Sequence, residues 1–166
     1  MTVEELTVRV DALVARVNAV PEVRLNRVVG LLIGAPSSTV LALAAWLTPS
    51  PAGYGTHVQL GLGSCTMLTI TGWPCPMCGM TTTFAHVAHL HFLDALANQP
   101  FGLVLFALTV LAAGIGVTDL ATGRGLWRRA LGVVQRYEQK IAIALLAGMI
   151  AGWLYKCAVM HPEVFS

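Results

Sequence analysis

Long stretches without a charged side chain constrain this chain more than any other feature. No Asp, Glu, Lys or Arg occurs between Arg27 and Asp94, between Asp94 and Asp119, or between Lys140 and Lys156. A helix needs about 20 apolar residues to cross the hydrocarbon core of a bilayer. The chain of 166 residues is 56% hydrophobic and 11% charged, against about 25% charged residues in soluble domains. The sequence therefore predicts an integral membrane protein and excludes an ordinary soluble enzyme.

Three membrane-spanning helices are predicted from these stretches, which gives an all-α membrane fold. They cover about residues 28–48, 100–119 and 139–159. The first contains Gly30, Gly34 and Pro36. Proline is tolerated in a membrane helix where neighbouring helices and hydroxyl groups satisfy the freed carbonyl. We therefore expect a kinked first helix that packs against protein.

A separate amphipathic helix is predicted over residues 1–22, within a cytoplasmic unit of residues 1–27. Thr2 and Glu5 have the spacing of a capping box. Its apolar side chains recur at alternating spacings of three and four residues: Val3, Leu6, Val10, Leu13, Val17 and Val20. Such a seam is typical of a coiled coil or a docking surface, so we expect protein partners here and along the membrane helices. A helix lying on the protein's own surface is the alternative, and residues 28–166 are expected to form one membrane domain.

Basic side chains lie almost entirely on one side of this topology. All but one of the ten Lys and Arg residues precede the first span or join the second span to the third. The positive-inside rule then places the N-terminus and residues 120–139 in the cytoplasm, and the loop 49–99 and the C-terminal tail on the other side. Lys156, the exception, is expected to extend its ammonium to the interface near Trp153 and Tyr155. A net charge of only +2 excludes a nucleic-acid-binding module. Because the spans are apolar, membrane lipid is the expected surrounding partner.

Cysteine and histidine side chains all fall on the non-cytoplasmic side of this topology. They are Cys65, Cys75, Cys78 and Cys157, and His57, His86, His89, His91 and His161. Because cysteine is well accommodated in an apolar core, hydrophobicity does not explain why the cysteines collect there. This distribution is the strongest functional signal in the sequence.

The centre of the loop is a Cys-Pro-Met-Cys-Gly motif that begins at Cys75 and ends at Gly79. Two cysteines three residues apart, among turn-forming residues, can present both sulfurs to one metal ion. The same spacing forms the reversible dithiol of thioredoxin-like proteins when a helix follows. The apolar pattern of residues 84–90 predicts such a helix, with a threonine among residues 81–83 as its cap. Cys65 adds a third sulfur to the set.

A tetrahedral metal site at Cys65, Cys75 and Cys78 would need a fourth ligand. The candidates are Cys157, His161 and His57. Zinc is favoured by a set of Cys and His, whereas copper(I) is favoured by Cys and Met and is the second choice. His86 and His89 share a helix face and would form a second, weaker site, whereas His91 is expected to point elsewhere.

Three functions are compatible with these residues. The sequence favours a non-catalytic accessory or scaffold subunit of a membrane complex, whose loop is held by a metal ion or by a disulfide. A thiol–disulfide oxidoreductase using Cys75 and Cys78 is the second, although the loop offers no second C-x-x-C motif and no basic side chain to activate a thiol. A copper(I) carrier is the third. No Ser-His-Asp set, phosphate loop, haem-attachment motif or carboxylate pair is recognised, so no other catalytic or cofactor-binding residue is predicted.

The region around the motif resembles a family of small bacterial inner-membrane proteins that is known only as a domain of unknown function. The family pattern has an upstream cysteine, then Gly-x-Pro-Cys-Pro-Gly-Cys-Gly-(Leu/Met)-Thr-Arg, an apolar helix, and Asn-Pro before a membrane span. Here the corresponding residues are Cys65, the run from Gly72 to Thr81 (GWPCPMCGMT) and Gln99-Pro100 at the position of Asn-Pro, within about residues 60–115. Two departures are Met77 in place of glycine and Thr82 in place of arginine. The resemblance implies a bacterial inner-membrane protein with a three-cysteine cluster and implies no activity.

Overall fold

The computed structural model describes Glu5, Arg9 and residues 21–165, without the side chain of Phe165. The N-terminal helix predicted over residues 1–22, its capping box and its apolar seam fall outside the described residues, except that Glu5 and Arg9 are helical. The regular structure of the described residues is helix alone, with no strand among them. The all-α prediction is confirmed.

Among the described residues, three long helices are apolar enough to cross a membrane. They are α1 (Glu22–Trp46), α5 (Pro100–Thr122) and α7 (Glu138–Met160). The second and third predicted spans agree with α5 and α7 to within a few residues. The first was predicted to begin at residue 28, but α1 begins directly after Pro21 and therefore includes residues 22–27. Proline fixes its own φ and is readily placed ahead of a helix, and no further proline interrupts the chain before Pro36.

Shorter helices fill the segments between and after the spans. They are a 3-10 helix (Thr56–Leu60), α2 (Thr66–Thr71), α3 (Met80–Ala88), α4 (Phe92–Asn98), α6 (Leu126–Arg136) and α8 (Pro162–Phe165). The helix predicted after the cysteine motif is therefore confirmed as α3. Its predicted threonine cap is wrong, because the N-cap is Gly79 in a left-handed conformation (φ 85°), with no side-chain cap.

Helices α1 and α5 form the most extensive helix pair in the described structure. They cross where glycines on both helices bring the two backbones into contact. A Cβ atom on Gly116 would meet the backbone N and Cα of Gly34, and one on Gly30 would lie 2.6 Å from the backbone N of Leu120. Gly30 and Gly34 are four residues apart, which is the small-residue spacing that lets membrane helices approach closely. The expectation of a packed first helix is confirmed.

The end of the bundle that carries the arginines, called here the arginine end, is held by buried polar groups. Asp119 at the end of α5 is fully buried, and its two carboxylate oxygens accept hydrogen bonds at 2.8 Å from the backbone N–H groups of Leu126 and Trp127. A carboxylate at a helix N-terminus satisfies orphan N–H groups and favours the helix dipole. Asn26 donates to the carbonyl of Gly123 at 2.9 Å. The Asp119 bonds fix α6 against α5, and the Asn26 bond fixes α1 to the C-cap of α5.

Candidate functional site

At the opposite end of the bundle, called here the cysteine end, the loop of residues 47–99 is fastened to α7 by a buried lysine. Lys156 is 3% exposed, and its Nζ donates to Asn98 Oδ1 at 2.7 Å and to the carbonyl of Gly53 at 3.0 Å. The prediction that Lys156 reaches out to the membrane interface is therefore wrong. A buried ammonium is tolerated only when its donors are satisfied, and here the two oxygens come from opposite ends of the loop.

Asn98 extends this anchor to the cysteine motif. Its Nδ2 donates to the carbonyl of Gly79 at 3.1 Å and to Thr83 Oγ1 at 2.9 Å. A Cβ on Gly79 would lie 2.8 Å from the carbonyl oxygen of Gly53 and 3.2 Å from Lys156 Nζ. Position 79 therefore requires glycine for two reasons: its positive φ, and the close approach of the Gly53 carbonyl and the Lys156 ammonium.

Two aromatic side chains of α7 also hold the loop. Trp153 Nε1 donates to the carbonyl of Pro74 at 2.7 Å, and the hydroxyl of Tyr155 donates to the carbonyl of Ala97 at 2.7 Å. The Pro74 bond is made directly before the first cysteine of the motif. The position of the motif is thus set by the third span as well as by the loop itself.

The three loop cysteines converge on one cavity of about 420 Å³. Cys65, Cys75 and Cys78 all line it, together with His57 and Met77. Their positions have separate local causes. Cys65 is the N-cap residue of α2, and the turn from Cys75 to Cys78 is closed by a hydrogen bond of 2.9 Å from the N–H of Cys78 to the carbonyl of Cys75.

The three thiols differ in their electrostatic surroundings. The nearby backbone N–H of Leu68, at the start of α2, holds the pKa of the Cys65 thiol below its ordinary value. Burial raises the pKa of Cys75, and so does the hydrogen bond between its thiol and the Cys65 sulfur. Burial also raises the pKa of Cys78 to about 11, an effect that the nearby charge of Lys156 partly opposes. Cys65 is therefore the member of the set that most readily carries a negative charge.

None of the four cysteines forms a disulfide in the structure. Among the described residues, the three loop sulfurs do not form a group in which every pair of ligand atoms lies within 4.8 Å, a criterion that only His86, His91 and Asp94 meet. A metal ion bound by the three cysteines would therefore require at least one of their side chains to turn into the cavity.

The candidates for the fourth ligand lie in different places. His57 lines the cysteine cavity, with its Nε2 at 3.2 Å from the carbonyl of Gly63. Cys157 is buried and lines a separate apolar cavity beside Trp153. His161 has its Nε2 at 3.0 Å from the carbonyl of Gly72 and its Nδ1 at 3.1 Å from Glu163. Of the three candidates, the structure brings only His57 into the cysteine cavity.

The second predicted pair, His86 and His89, is not the pair that the structure brings together. His89 Nδ1 lies 2.8 Å from the carbonyl of Ala85 in its own helix. His86 instead lies beside His91 and Asp94, and these three offer ligand atoms that are all within 4.8 Å of one another. Burial lowers the pKa of His86, against the opposing effect of the Asp94 carboxylate. The expectation that His91 points elsewhere was wrong.

The reason is the way α3 ends. Leu90 takes a left-handed conformation (φ 65°). Its N–H donates to the carbonyl of Val87 at 3.0 Å, and the N–H of His91 donates to the carbonyl of His86 at 2.8 Å. This is a Schellman ending, in which the C′ residue is usually glycine. The sequence offers no glycine there, so the turn that returns His91 to His86 carried no recognisable signal.

A larger cavity of about 630 Å³ lies beside the cysteine cavity and is almost wholly apolar. It runs between α1, α3 and α5, and Met77 lines both cavities. Its lining contains no acidic, basic, Cys or His side chain. An apolar groove along two membrane-spanning helices suits a lipid chain.

Comparison with known proteins gives one match. Residues 65–113 match a family described as "Protein of unknown function (DUF2752)". A search of curated proteins and a search of solved structures each found no match. The matched segment begins at Cys65 and contains the other two loop cysteines, together with His86, His91 and Asp94, whereas His57 and Lys156 lie outside it. The similarity to this family therefore covers less than a third of the chain and starts at the first cysteine of the candidate site.

Proposed function

We propose that this protein is a non-catalytic accessory subunit of a membrane complex, and that its loop binds one thiophilic metal ion through Cys65, Cys75, Cys78 and His57. The single observation that carries the proposal is that these four side chains line one cavity at the cysteine end. Three cysteines and one histidine form a closed tetrahedral set of the kind that holds structural zinc. Zinc is the favoured ion, and Met77 in the same cavity makes copper(I) the alternative.

The surroundings of the sulfurs support a bound cation. Metal ligation requires thiolates, and backbone N–H groups at the start of α2 already favour the charged form of Cys65. Three thiolates and a neutral imidazole around Zn²⁺ would carry a net charge of −1. The ammonium of Lys156, which interacts electrostatically with Cys78, would offset that charge inside a poorly solvated site. The ion would supply a cross-link between the start of α2, the cysteine turn and the 3-10 helix.

Charge and topology support the proposed membrane location. We propose that the cysteine end faces the periplasm of a bacterial inner membrane and that the arginine end faces the cytoplasm, as the positive-inside rule requires. Partner proteins would bind through the apolar seam of residues 1–22 and through the outer faces of the membrane helices. Labelling of single-cysteine variants in intact cells with a membrane-impermeant maleimide tests this orientation.

The metal content of the detergent-purified full-length protein tests the proposed site. We expect close to one zinc per chain in the wild type and a loss of most of it in Cys75→Ser and Cys78→Ser. His57→Ala should weaken zinc retention against a competing chelator. Cys157→Ala is the matched control, since Cys157 is a buried cysteine outside the cavity. A wild type that carries no metal after purification from zinc-replete cells, or an equal loss in Cys157→Ala, would overturn the proposal.

A second function is favoured by one observation, the placement of Cys65 at a helix N-terminus in the same cavity as Cys75, where the pKa of Cys65 is lowered and that of Cys75 is raised. In this case the Cys65 thiolate would attack a protein disulfide and expel one partner thiolate, and Cys75 would then attack Cys65 to release the other. The chain would be oxidised to a Cys65–Cys75 disulfide, and the partner would leave with two thiols. This pair replaces the Cys75–Cys78 pair that the sequence indicated.

Redox titration separates the two functions. An oxidoreductase requires a Cys65–Cys75 disulfide that equilibrates with glutathione and is retained in Cys78→Ser. A metal site requires that Cys78→Ser releases the ion, and it does not require any disulfide. Thiol counting before and after reduction, with mass mapping of the bridged peptides, reports both outcomes in one sample.

A further inference from the structure

We propose that His86, His91 and Asp94 form a second metal site, for a borderline divalent cation of the Zn²⁺ type, that is independent of the cysteine cavity. A nitrogen of each imidazole and a carboxylate oxygen of Asp94 all lie within 4.8 Å of one another. No other set of three His, Cys, Asp or Glu side chains among the described residues meets this criterion. Two imidazoles and one carboxylate are the ligands that Zn²⁺ and its first-row neighbours accept.

The backbone brings these ligands together before any ion binds. The Schellman ending of α3 turns the chain at Leu90, so that the N–H of His91 reaches the carbonyl of His86 at 2.8 Å. Asp94 then lies in the first turn of α4, three residues beyond His91. Left-handed non-glycine residues are costly and concentrate at functional sites. Here the strained residue is the one whose conformation returns His91 to His86.

A buried ring nitrogen gives the second indication. Nδ1 of His86 is buried and has no hydrogen-bond partner among the described residues. Burying a polar atom without a partner is costly, and a ligated cation or the hydrogen-bonded shell around it would remove that cost. No Lys or Arg occurs between residues 28 and 123, so no basic side chain of α3 or α4 competes for Asp94.

The exposure of the ligands indicates what kind of site this is. His91 and Asp94 are exposed, whereas His86 is half-buried. Three protein ligands leave at least one coordination position of a tetrahedral ion for water or another ligand. The site would therefore exchange its ion with the solution, in contrast to a closed set of three cysteines and one histidine.

Metal titration of the full-length protein in detergent tests this site separately from the cysteine set. Co²⁺ is the probe, because cobalt bound by sulfur gives an intense charge-transfer band that cobalt bound only by nitrogen and oxygen lacks. We expect wild-type protein to bind a Co²⁺ equivalent without the sulfur band, and His91→Ala and Asp94→Asn to weaken that step at least tenfold. Cys75→Ser should leave it unchanged, so a failure of the cysteine proposal would not affect it.

His89→Ala is the matched control, because His89 precedes the same turn but lies outside the three-residue set. It should bind Co²⁺ as the wild type does. Since His91 and Asp94 are exposed, their substitution should leave the helical circular dichroism intact. An equal loss in His89→Ala, or no sulfur-free Co²⁺ step in the wild type, would overturn the proposal.

Discussion

The contact between α1 and α5 depends on the absence of a side chain at Gly116, and replacing Gly116 by alanine tests it. An added Cβ would collide with the backbone N and Cα of Gly34 and would lie 2.8 Å from the carbonyl oxygen of Gly30. Carbon atoms in favourable contact are about 3.5–4.0 Å apart, so the two backbones would have to separate by about 1 Å. Overpacking of this kind costs about 1–3 kcal/mol, and backbone atoms adjust less readily than side chains.

Gly114 in the same helix is the matched control, because a Cβ there would meet no heavy atom within 4 Å. Gly114→Ala should be neutral or should stabilise α5 by up to about 1 kcal/mol through helix propensity. We therefore expect Gly116→Ala to be less stable than Gly114→Ala by about 1–4 kcal/mol. Reversible unfolding in mixed micelles, followed by tryptophan fluorescence, measures the difference. Equal stability of the two variants would refute the backbone contact.

Three further predictions concern the cysteine end. Leu90→Gly should raise the free energy of unfolding by up to about 1 kcal/mol, because glycine adopts φ 65° without the steric cost that leucine incurs; a lower thermal midpoint would contradict this. Lys156→Met should lower the free energy of unfolding by about 2–4 kcal/mol, because it removes the donor to the buried Oδ1 of Asn98 and to the part-buried carbonyl of Gly53. In denaturant titrations Lys140→Met, at an exposed position, should change that free energy by less than about 0.5 kcal/mol. In metal-free protein at pH 8, maleimide should react faster with Cys65 than with Cys78, since only the thiolate reacts. The rate at Cys78 should rise about tenfold per pH unit until its pKa of about 11. A faster reaction at Cys78 would contradict the assignment of Cys65 as the more acidic thiol.

The three spans could be predicted from sequence because their signal is local. A run of apolar residues without charge is sufficient to indicate a membrane helix, and α5 and α7 agree with the prediction. The contact between α1 and α5 also had a local signal in the spacing of Gly30 and Gly34, but the sequence did not identify Gly116 as their partner. Which helices pair is a tertiary property that glycine spacing on one helix does not determine.

The anchor of the loop could not be predicted because its partners are far apart in the chain. Lys156 lies 103 residues from Gly53 and 58 residues from Asn98. The useful signal was Lys156 itself, since an ionisable residue near the end of an apolar span is by default a functional or structural site with a buried partner. Snorkelling was the wrong interpretation because the folded loop, rather than solvent, receives the ammonium.

The residues of the candidate sites could likewise be predicted only where their signal is local in the sequence. The sequence identified the three loop cysteines and included His57 among the candidates for the fourth ligand, but only the fold of the loop selects His57 from them. His91 and Asp94 were missed because continuing α3 as a regular helix past Ala88 would carry His91 to another face. The turn at Leu90 lacks the glycine that usually marks such an ending.

The coordination of zinc in the purified protein tests the central claim most directly. X-ray absorption at the zinc edge, measured on protein that carries one zinc per chain, should show three sulfur ligands at about 2.3 Å and one nitrogen ligand at about 2.0–2.1 Å. His57→Ala should retain the sulfur shell and lose the histidine nitrogen. A shell made only of nitrogen and oxygen in the wild type would contradict the account, because it would mean that the three loop cysteines do not hold the ion.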